Sequence, residues 1–229
     1  MSPVTHFLTG WVFANCARLD RRDRALVSLA CVAPDIDGLG IVPELLTRNS
    51  LHPLLWFSDY HHSLHNLAFA LVIACVSATL AHQRWKTGLL AFVSFHLHLA
   101  EDLAGSRGPD GYEWPIPYLK PFSSAWSLSW HGQWALNSWP NIAITAALLL
   151  ATFYLAWWRG FSPLEMISEK AVATFVAALR QRAYARAVSV SPVVQTPQRH
   201  VGNPRLPSDR PRPQSHAFAH QLWTLSGTW

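Results

Sequence analysis

The sequence predicts an all-α protein, a membrane-embedded or membrane-associated bundle of about six helices built from antiparallel hairpins. Half of the 229 residues are hydrophobic and only 14% are charged, whereas an average soluble protein has about 25% charged residues. The apolar residues recur with helical periodicity, and no segment alternates apolar and polar residues as a half-buried strand does. A soluble bundle with unusually apolar helices is the alternative.

The first three predicted helices occupy the N-terminal third of the chain. The first covers 5–17, where Thr5 is a suitable N-cap. The second covers 24–33 and ends before Pro34, because proline cannot continue a helix. The third covers 61–82 and contains about 18 consecutive uncharged residues, which is just enough to cross a bilayer core.

The last three predicted helices are separated by glycine and proline. The fourth covers 86–103 and ends near Gly105. The fifth covers 141–158, follows Pro140, and is the second segment apolar and long enough to span a membrane. The sixth covers 163–187 and begins on a proline, which suits the first helical position. The first, second and fourth helices are shorter or carry His and Asp, so they are expected to pack against the spanning pair.

The composition also divides the chain into two regions. We expect residues 1–187 to form the helical domain. Residues 188–229 are rich in Pro, Arg, Gln and Ser with few apolar anchors, and are predicted to be a disordered tail. The net charge of +5 comes largely from this tail and from short basic turns, so no nucleic-acid partner is expected.

The two N-terminal hairpins share a polarity. Short basic links at 18–24 and 83–86 predict that the helices on either side of each link run antiparallel. In both hairpins the basic link lies at one end, and His and Asp residues lie at the other. The sequence therefore gathers its candidate metal ligands at one pole: His6, Asp35, Asp37, His61, His65, His98 and Asp102.

The spacing within this set favours a shared site. His61 and His65 are four residues apart, as are His98 and Asp102, so each pair projects from one helix face. A lone His on an apolar helix is more often structural, and His6 alone would be interpreted that way. Four such residues at one pole change that balance, because charges near an apolar medium should face one another or a cation.

Asp35 and Asp37 complete the predicted metal set. They follow Pro34 in an extended or turn conformation, which can direct both carboxylates into one pocket. Imidazole with carboxylate is the ligand combination expected for Zn²⁺, with Mn²⁺ or Fe²⁺ as alternatives. This number of ligands suffices for one to three ions.

These motifs resemble a known family, the bacterial inner-membrane metal-dependent hydrolases. That family includes a LexA-regulated membrane member and is distantly similar to zinc-dependent phospholipase C. The resemblance covers about residues 1–125 and implies that the same seven residues are metal ligands. Many members have Arg where this chain has His62, so either His61 or His62 is the first ligand of its segment, with His96 in reserve. The matching motifs are His6, Pro34-Asp35-Ile36-Asp37, the His-rich segment 60–66 and His98-x3-Asp102.

The expected function is a membrane-bound hydrolase that acts on a phosphoester or other ester, with a lipid-linked ester as one option. A metal-activated water would attack, and Asp35 or Asp37 would act as the general base or bridge the metals. Arg107 and Lys120 are candidates to contact an anionic head group, and His131 is a spare candidate for proton transfer. The alternatives are a non-catalytic membrane protein with a structural, transport or sensing metal, and a heme-binding bundle.

The basic turns also predict an orientation. Lys- and Arg-rich turns stay on the cytoplasmic side of a bacterial inner membrane. We therefore expect the metal pole and the 105–140 loop to face the periplasm. The Trp residues of that loop are expected to form an interfacial belt or a lid.

Overall fold

The computed structural model describes residues 1–108 and 110–190, with side chains to residue 184. The described residues form α-helices and two 3₁₀ helices, with isolated bridges in place of regular strands. The predicted all-α class is confirmed, but six helices was an underestimate. The eight α-helices are α1 (Pro3–Ala14), α2 (Arg21–Ala30), α3 (Ile41–Thr47), α4 (Trp56–Tyr60), α5 (Leu67–Leu80), α6 (Arg84–Gly105), α7 (Trp139–Arg159) and α8 (Glu169–Val190).

The first two helices begin earlier than predicted, because other residues cap them. The Ser2 side chain accepts a hydrogen bond from the backbone N–H of Thr5, so Ser2 is the N-cap of α1 and Thr5 lies inside the helix. The Asp20 side chain caps α2 in the same way by accepting from the N–H of Asp23. Both caps satisfy backbone donors that would otherwise lack a partner.

The predicted third helix is wrong in its first turn. His62 has a φ of +80°, a left-handed conformation that interrupts a right-handed helix. The helix α5 starts only at Leu67, where the Asn66 side chain caps it by accepting from the N–H of Phe69. His61 and His65 therefore do not share a helix face. At 14 residues, α5 is about 21 Å long and shorter than a bilayer core.

Two further segments differ from expectation. The segment 35–37, expected to be extended or in a turn, lies within a 3₁₀ helix, Ala33–Gly40, that has Pro34 in its first turn. The predicted sixth helix is split into a 3₁₀ helix, Pro163–Met166, and α8. The predicted tail, 188–229, overlaps the end of α8 by three residues, and its remainder lies outside the described residues.

The helices pack around α6. It contacts α5 most extensively, and also α1 and α2, while α1 in addition contacts α7. The buried Asp23 carboxylate ties the two basic links together, since it accepts 2.9 Å hydrogen bonds from the N–H groups of His82 and Gln83. The ammonium of Lys86 donates to the carbonyl of Arg18 at 2.7 Å. The two basic links are therefore neighbours, while the antiparallel hairpin arrangement stays a prediction.

One helix in the described part of the chain is long and apolar enough to cross a membrane by itself, and it is α7. A second candidate is the pair formed by α2 and the segment Ala33–Thr47, which is bent by 53°. Large apolar side chains of α7 are strongly exposed, as on a surface that meets lipid. They include Ile142, Leu149, Leu150, Phe153, Tyr154, Trp157 and Trp158.

Candidate metal centre

Four side chains converge where α1, α6 and the 3₁₀ helix Ala33–Gly40 meet. His6, Asp35, His98 and Asp102 each offer a donor atom, and these atoms all lie within 4.8 Å of one another. His98 and Asp102 are one turn apart on α6, and His98 Nε2 lies 3.0 Å from Asp102 Oδ2. Both histidines are fully buried. The structure thus brings four of the seven predicted ligands into one group.

The tautomers of the two histidines follow from their outer partners. His98 Nδ1 lies 2.8 Å from the carbonyl of Cys31, which can only accept, so Nδ1 carries the proton. His6 Nδ1 lies 2.6 Å from the carboxylate of Glu101 and also donates. In the neutral ring, each Nε2 then has a lone pair directed inward. The His98 lone pair can accept from His65 Nε2, which lies 3.1 Å away. The His6 lone pair faces the Asp102 carboxylate, which can only accept, so a proton or a metal cation is needed between these two groups.

Two atoms of this group have no hydrogen-bond partner although they are buried. They are Nε2 of His6 and Oδ2 of Asp35. His6 Nε2 lies 3.2 Å from Asp102 Oδ1, but the geometry is not that of a hydrogen bond. Buried polar atoms are normally satisfied. The donor set and its unpaired atoms therefore fit a divalent cation.

Sequence reasoning missed the outer partners of this group. Glu101 accepts from His6 Nδ1 and from the hydroxyl of Thr9, and Ser106 donates to Asp102 Oδ1 at 2.8 Å. A carboxylate behind a histidine fixes its tautomer and strengthens it as a ligand. The signal was the second acid next to Asp102 in an apolar helix. Neighbouring residues on a helix point in different directions, so spacing alone did not connect it to the site.

Replacing this outer carboxylate is expected to weaken metal binding without abolishing it. Glu101→Ala removes the acceptor for His6 Nδ1, and loss of such a partner typically reduces metal affinity by about 10–100-fold. Titration of the metal-free protein with Zn²⁺ measures this effect. Glu169→Ala, on an exposed glutamate of α8, is the matched control; equal affinities for the two variants would contradict the assignment.

The other three predicted ligands gather around Asp37. Its Oδ1 lies 3.0 Å from His61 Nδ1, and its Oδ2 lies 3.4 Å from His65 Nδ1 and accepts from the N–H of Leu64. His65 connects this group to the first, because its Nε2 lies 3.1 Å from His98 Nε2. The turn at 61–65, and not a helix face, brings His61 and His65 together.

The contacts around Asp37 favour positive charge in this cluster. The Asp37 carboxylate faces the ring nitrogens of His61 and His65 and accepts from the Leu64 N–H. Burial lowers the pKa of His65, but Asp102 and Asp37 outweigh burial and raise it to about 9. A metal cation would supply the positive charge that the added proton on His65 supplies in its absence.

The two reserve histidines occupy different environments. His96 donates or accepts at both ring nitrogens, with the carbonyl of Phe92 and the hydroxyl of Tyr118 each at 2.8 Å, so it is used structurally. His62 has no partner at either ring nitrogen. Burial, followed by the neighbouring His65 and His61, lowers its pKa to about 3. Of the pair left open by the sequence, His61 is the one that contacts a carboxylate.

A cleft of about 500 Å³ opens beside this cluster, lined by residues that include His61, His62, Trp114 and Lys120. Lys120 thus lies where an anionic group in the cleft would meet it. Arg107 does not line the cleft. Its guanidinium donates to Glu113 at 3.1 Å and to the carbonyl of His131 at 2.6 Å.

His131 and Trp134 lie in the same loop, 105–140, and neither lines the cleft. The side chain of His131 is 96% exposed and pairs with Glu113. Trp134 Nε1 donates to Asn141 Oδ1 at 2.7 Å, which attaches the loop to the start of α7.

Comparison with known proteins identifies the family. A family model described as "YdjM inner membrane protein" matches residues 1–185. The chain belongs to this family. No curated protein and no solved structure matches significantly.

Membership in this family has two consequences. The chain is a membrane protein of the bacterial inner membrane, so the soluble alternative no longer applies. The match also covers all seven predicted ligands, the residues around them and the candidate span α7. The family's description names a location and no reaction, so the chemistry rests on the residues themselves.

Proposed function

We propose that this protein is a membrane-bound, metal-dependent hydrolase that acts on a phosphoester or another ester. The observation that carries the proposal is the convergence of two buried imidazole Nε2 atoms, those of His6 and His98, on Asp35 and Asp102 within 4.8 Å. This combination of nitrogen and carboxylate oxygen suits Zn²⁺ best, with Mn²⁺ or Fe²⁺ as alternatives.

The aspartates of the candidate metal centre would have different roles in the reaction. A divalent ion there would supply a Lewis acid and a water of lowered pKa. Asp35 has an oxygen without a partner, so it is the carboxylate free to accept a proton from the attacking water. Both Asp37 oxygens are engaged by His61, His65 and the Leu64 N–H. Asp37 therefore orients the histidines, or ligates a second ion with them.

The cleft gives a substrate a route to the cluster. His61 and His62 line its wall, and Lys120 contributes a positive charge that suits a phosphate or another anionic group. Trp114 packs edge-on against both histidine rings, with centroids 5.1 and 4.2 Å away. Membrane lipids are the nearest source of such esters for an inner-membrane protein.

A non-catalytic metal site is the second candidate. His6 and His98 have no exposed surface, and a closed set of four ligands is typical of structural sites. A metal bound at such a site would hold α1 and α6 against the 3₁₀ helix, or would be the ion that the protein transports or senses. A heme is disfavoured here, because the ring centroids of His6 and His98 lie only 3.8 Å apart and leave no space for a macrocycle between them.

Activity assays on purified protein separate these two functions. The assays cover chromogenic phosphomonoesters, phosphodiesters and carboxyl esters, together with phospholipid vesicles. Asp35→Asn is expected to lower kcat by at least about 100-fold on the accepted substrate, because it removes the general base. Asp110→Asn, on an exposed aspartate, is the matched control. Retained activity in Asp35→Asn, or a metal-loaded wild type inactive on every class, would contradict the proposal.

We also propose that the metal pole faces the periplasm, because the neighbouring basic links 18–24 and 83–86 favour the cytoplasmic side. A phosphatase reporter that folds only outside the cytoplasm, inserted after the exposed Gly132, is therefore expected to be active in cells. The same reporter inserted in the basic link after the exposed Arg18 is the control and is expected to be inactive. Activity in the reverse pattern would overturn the orientation.

A further inference from the structure

An apolar groove lies between α2, the 3₁₀ helix Ala33–Gly40 and α5. Its volume of about 330 Å³ is at the lower end of the range for small-molecule sites, roughly 300–1,000 Å³. Leu29 and Val76 line it and are about half exposed, at 53% and 46%. In an inner-membrane protein this groove is therefore open to lipid along the apolar second half of α2 and along α5.

A second groove, of about 320 Å³, adjoins the first at one shared lining residue. Ile36 lines both grooves, and the second is also lined by Leu39, Trp56 and Asp37. The second groove therefore reaches the carboxylate of Asp37, whose Oδ1 lies 3.0 Å from His61 Nδ1 beside the candidate metal centre. We call the two adjoining grooves the acyl track.

We propose that the acyl track holds one acyl chain of a membrane glycerophospholipid, whose ester-linked head lies at the candidate metal centre. The role as substrate rests on the proposed function; occupancy of the track does not. Contact with bulk lipid requires only an apolar surface on the protein. It does not explain a groove that reaches a carboxylate, because a carboxylate near hydrocarbon is energetically costly.

The polar end of the path suits the head group of such a lipid. The cleft is lined by His61 and Lys120, whereas the acyl track is lined mainly by apolar side chains and by Asp37, which contacts His61 at 3.0 Å. An amphiphile placed across Asp37 would put its phosphate toward the lysine and its chain toward Ile36. The apolar lining would keep that chain out of water while the head group leaves the bilayer plane.

Photolabelling tests the occupant directly. The full chain is placed in vesicles of phosphatidylethanolamine and phosphatidylglycerol that contain a phospholipid with a diazirine at the end of one acyl chain. Labelled peptides are then mapped by mass spectrometry. We expect labelling of the track on α2 and α5 to exceed that of the exposed face of α7 severalfold. Val76→Trp, which fills the track, should remove that excess, while Leu150→Trp on exposed α7 should not.

Three outcomes would overturn the acyl track. The first is labelling of the track no stronger than that of α7. The second is labelling of the track that neither Val76→Trp nor a second filling variant, Leu29→Trp, reduces. The third is a dimer, detected by native mass spectrometry, that Val76→Trp dissociates. The last would show that a second copy covers the groove. Metal content measured on the same sample separates the two proposals. A labelled track in protein that binds no metal supports the track and contradicts the proposed function.

Discussion

Asp102→Ala is expected to abolish stoichiometric metal binding and to lower the free energy of unfolding by about 3–5 kcal/mol. The Asp102 carboxylate lies 3.0–3.4 Å from the Nε2 atoms of His6, His98 and His65. Its removal leaves the buried N-terminal ammonium of Met1 and three buried imidazoles without their shared negative partner. Elemental analysis of the purified variant and its thermal unfolding in detergent measure the two effects.

The isosteric variant Asp102→Asn keeps this prediction testable if the alanine variant fails to fold. It retains the size of the side chain and its bond with Ser106 but removes the charge, so metal content should still fall by at least about tenfold. Asp110→Asn removes an exposed carboxylate and should leave metal content unchanged. A folded Asp102→Asn protein with a full metal complement would show that Asp102 is not a ligand.

Glu165→Ala is expected to lower the free energy of unfolding by about 3–5 kcal/mol while leaving metal content unchanged. Glu165 forms a buried, bidentate pair with Arg24, with N–O distances of 2.7 and 2.8 Å. The guanidinium also stacks over Phe161, 4.0 Å from the ring centroid. The variant leaves a buried cation without its partner, and thermal unfolding in detergent measures the loss.

The position of this pair makes it a control for the metal centre as well. Arg24 is the last residue of the basic link 18–24 and lies in the first turn of α2, whereas Asp35 follows the other end of that helix. The exposed pair Arg21–Glu169 provides the comparison, and Glu169→Ala should change stability little. A loss of metal in Glu165→Ala, with the fold retained, would mean that the two poles are coupled and that metal loss alone does not identify ligands.

The helical class, and half of the site, could be read from sequence because they depend on local periodicity. His98 and Asp102 are four residues apart on a true helix, and the structure places their side chains together. His6 was weak evidence alone, yet α1 packs against α6 and brings it to the same point. The predicted shared pole agrees with the proximity of His6, Asp35, His98 and Asp102, while the hairpin arrangement and the role of these residues as ligands stay predictions.

The remainder depended on backbone and tertiary contacts that spacing does not encode. The left-handed conformation of His62 and the Asn66 cap shorten α5, so His61 and His65 meet Asp37 through a turn. Glu101 supports His6 across the α1–α6 interface, a contact that no local pattern specifies. The 3₁₀ helix around Asp35 was also missed, because Pro34 was interpreted only as the end of α2 and not as the start of a new helix.

The most direct test of the account is the metal content of wild-type protein purified without chelators. We predict at least one Zn²⁺, Mn²⁺ or Fe²⁺ ion per chain, released below pH 5 as the imidazole ligands protonate. Zinc should restore it at neutral pH in the wild type and not in Asp102→Asn. Wild-type protein that carries less than about a tenth of an ion per chain, and takes up none at micromolar zinc, would contradict the central claim.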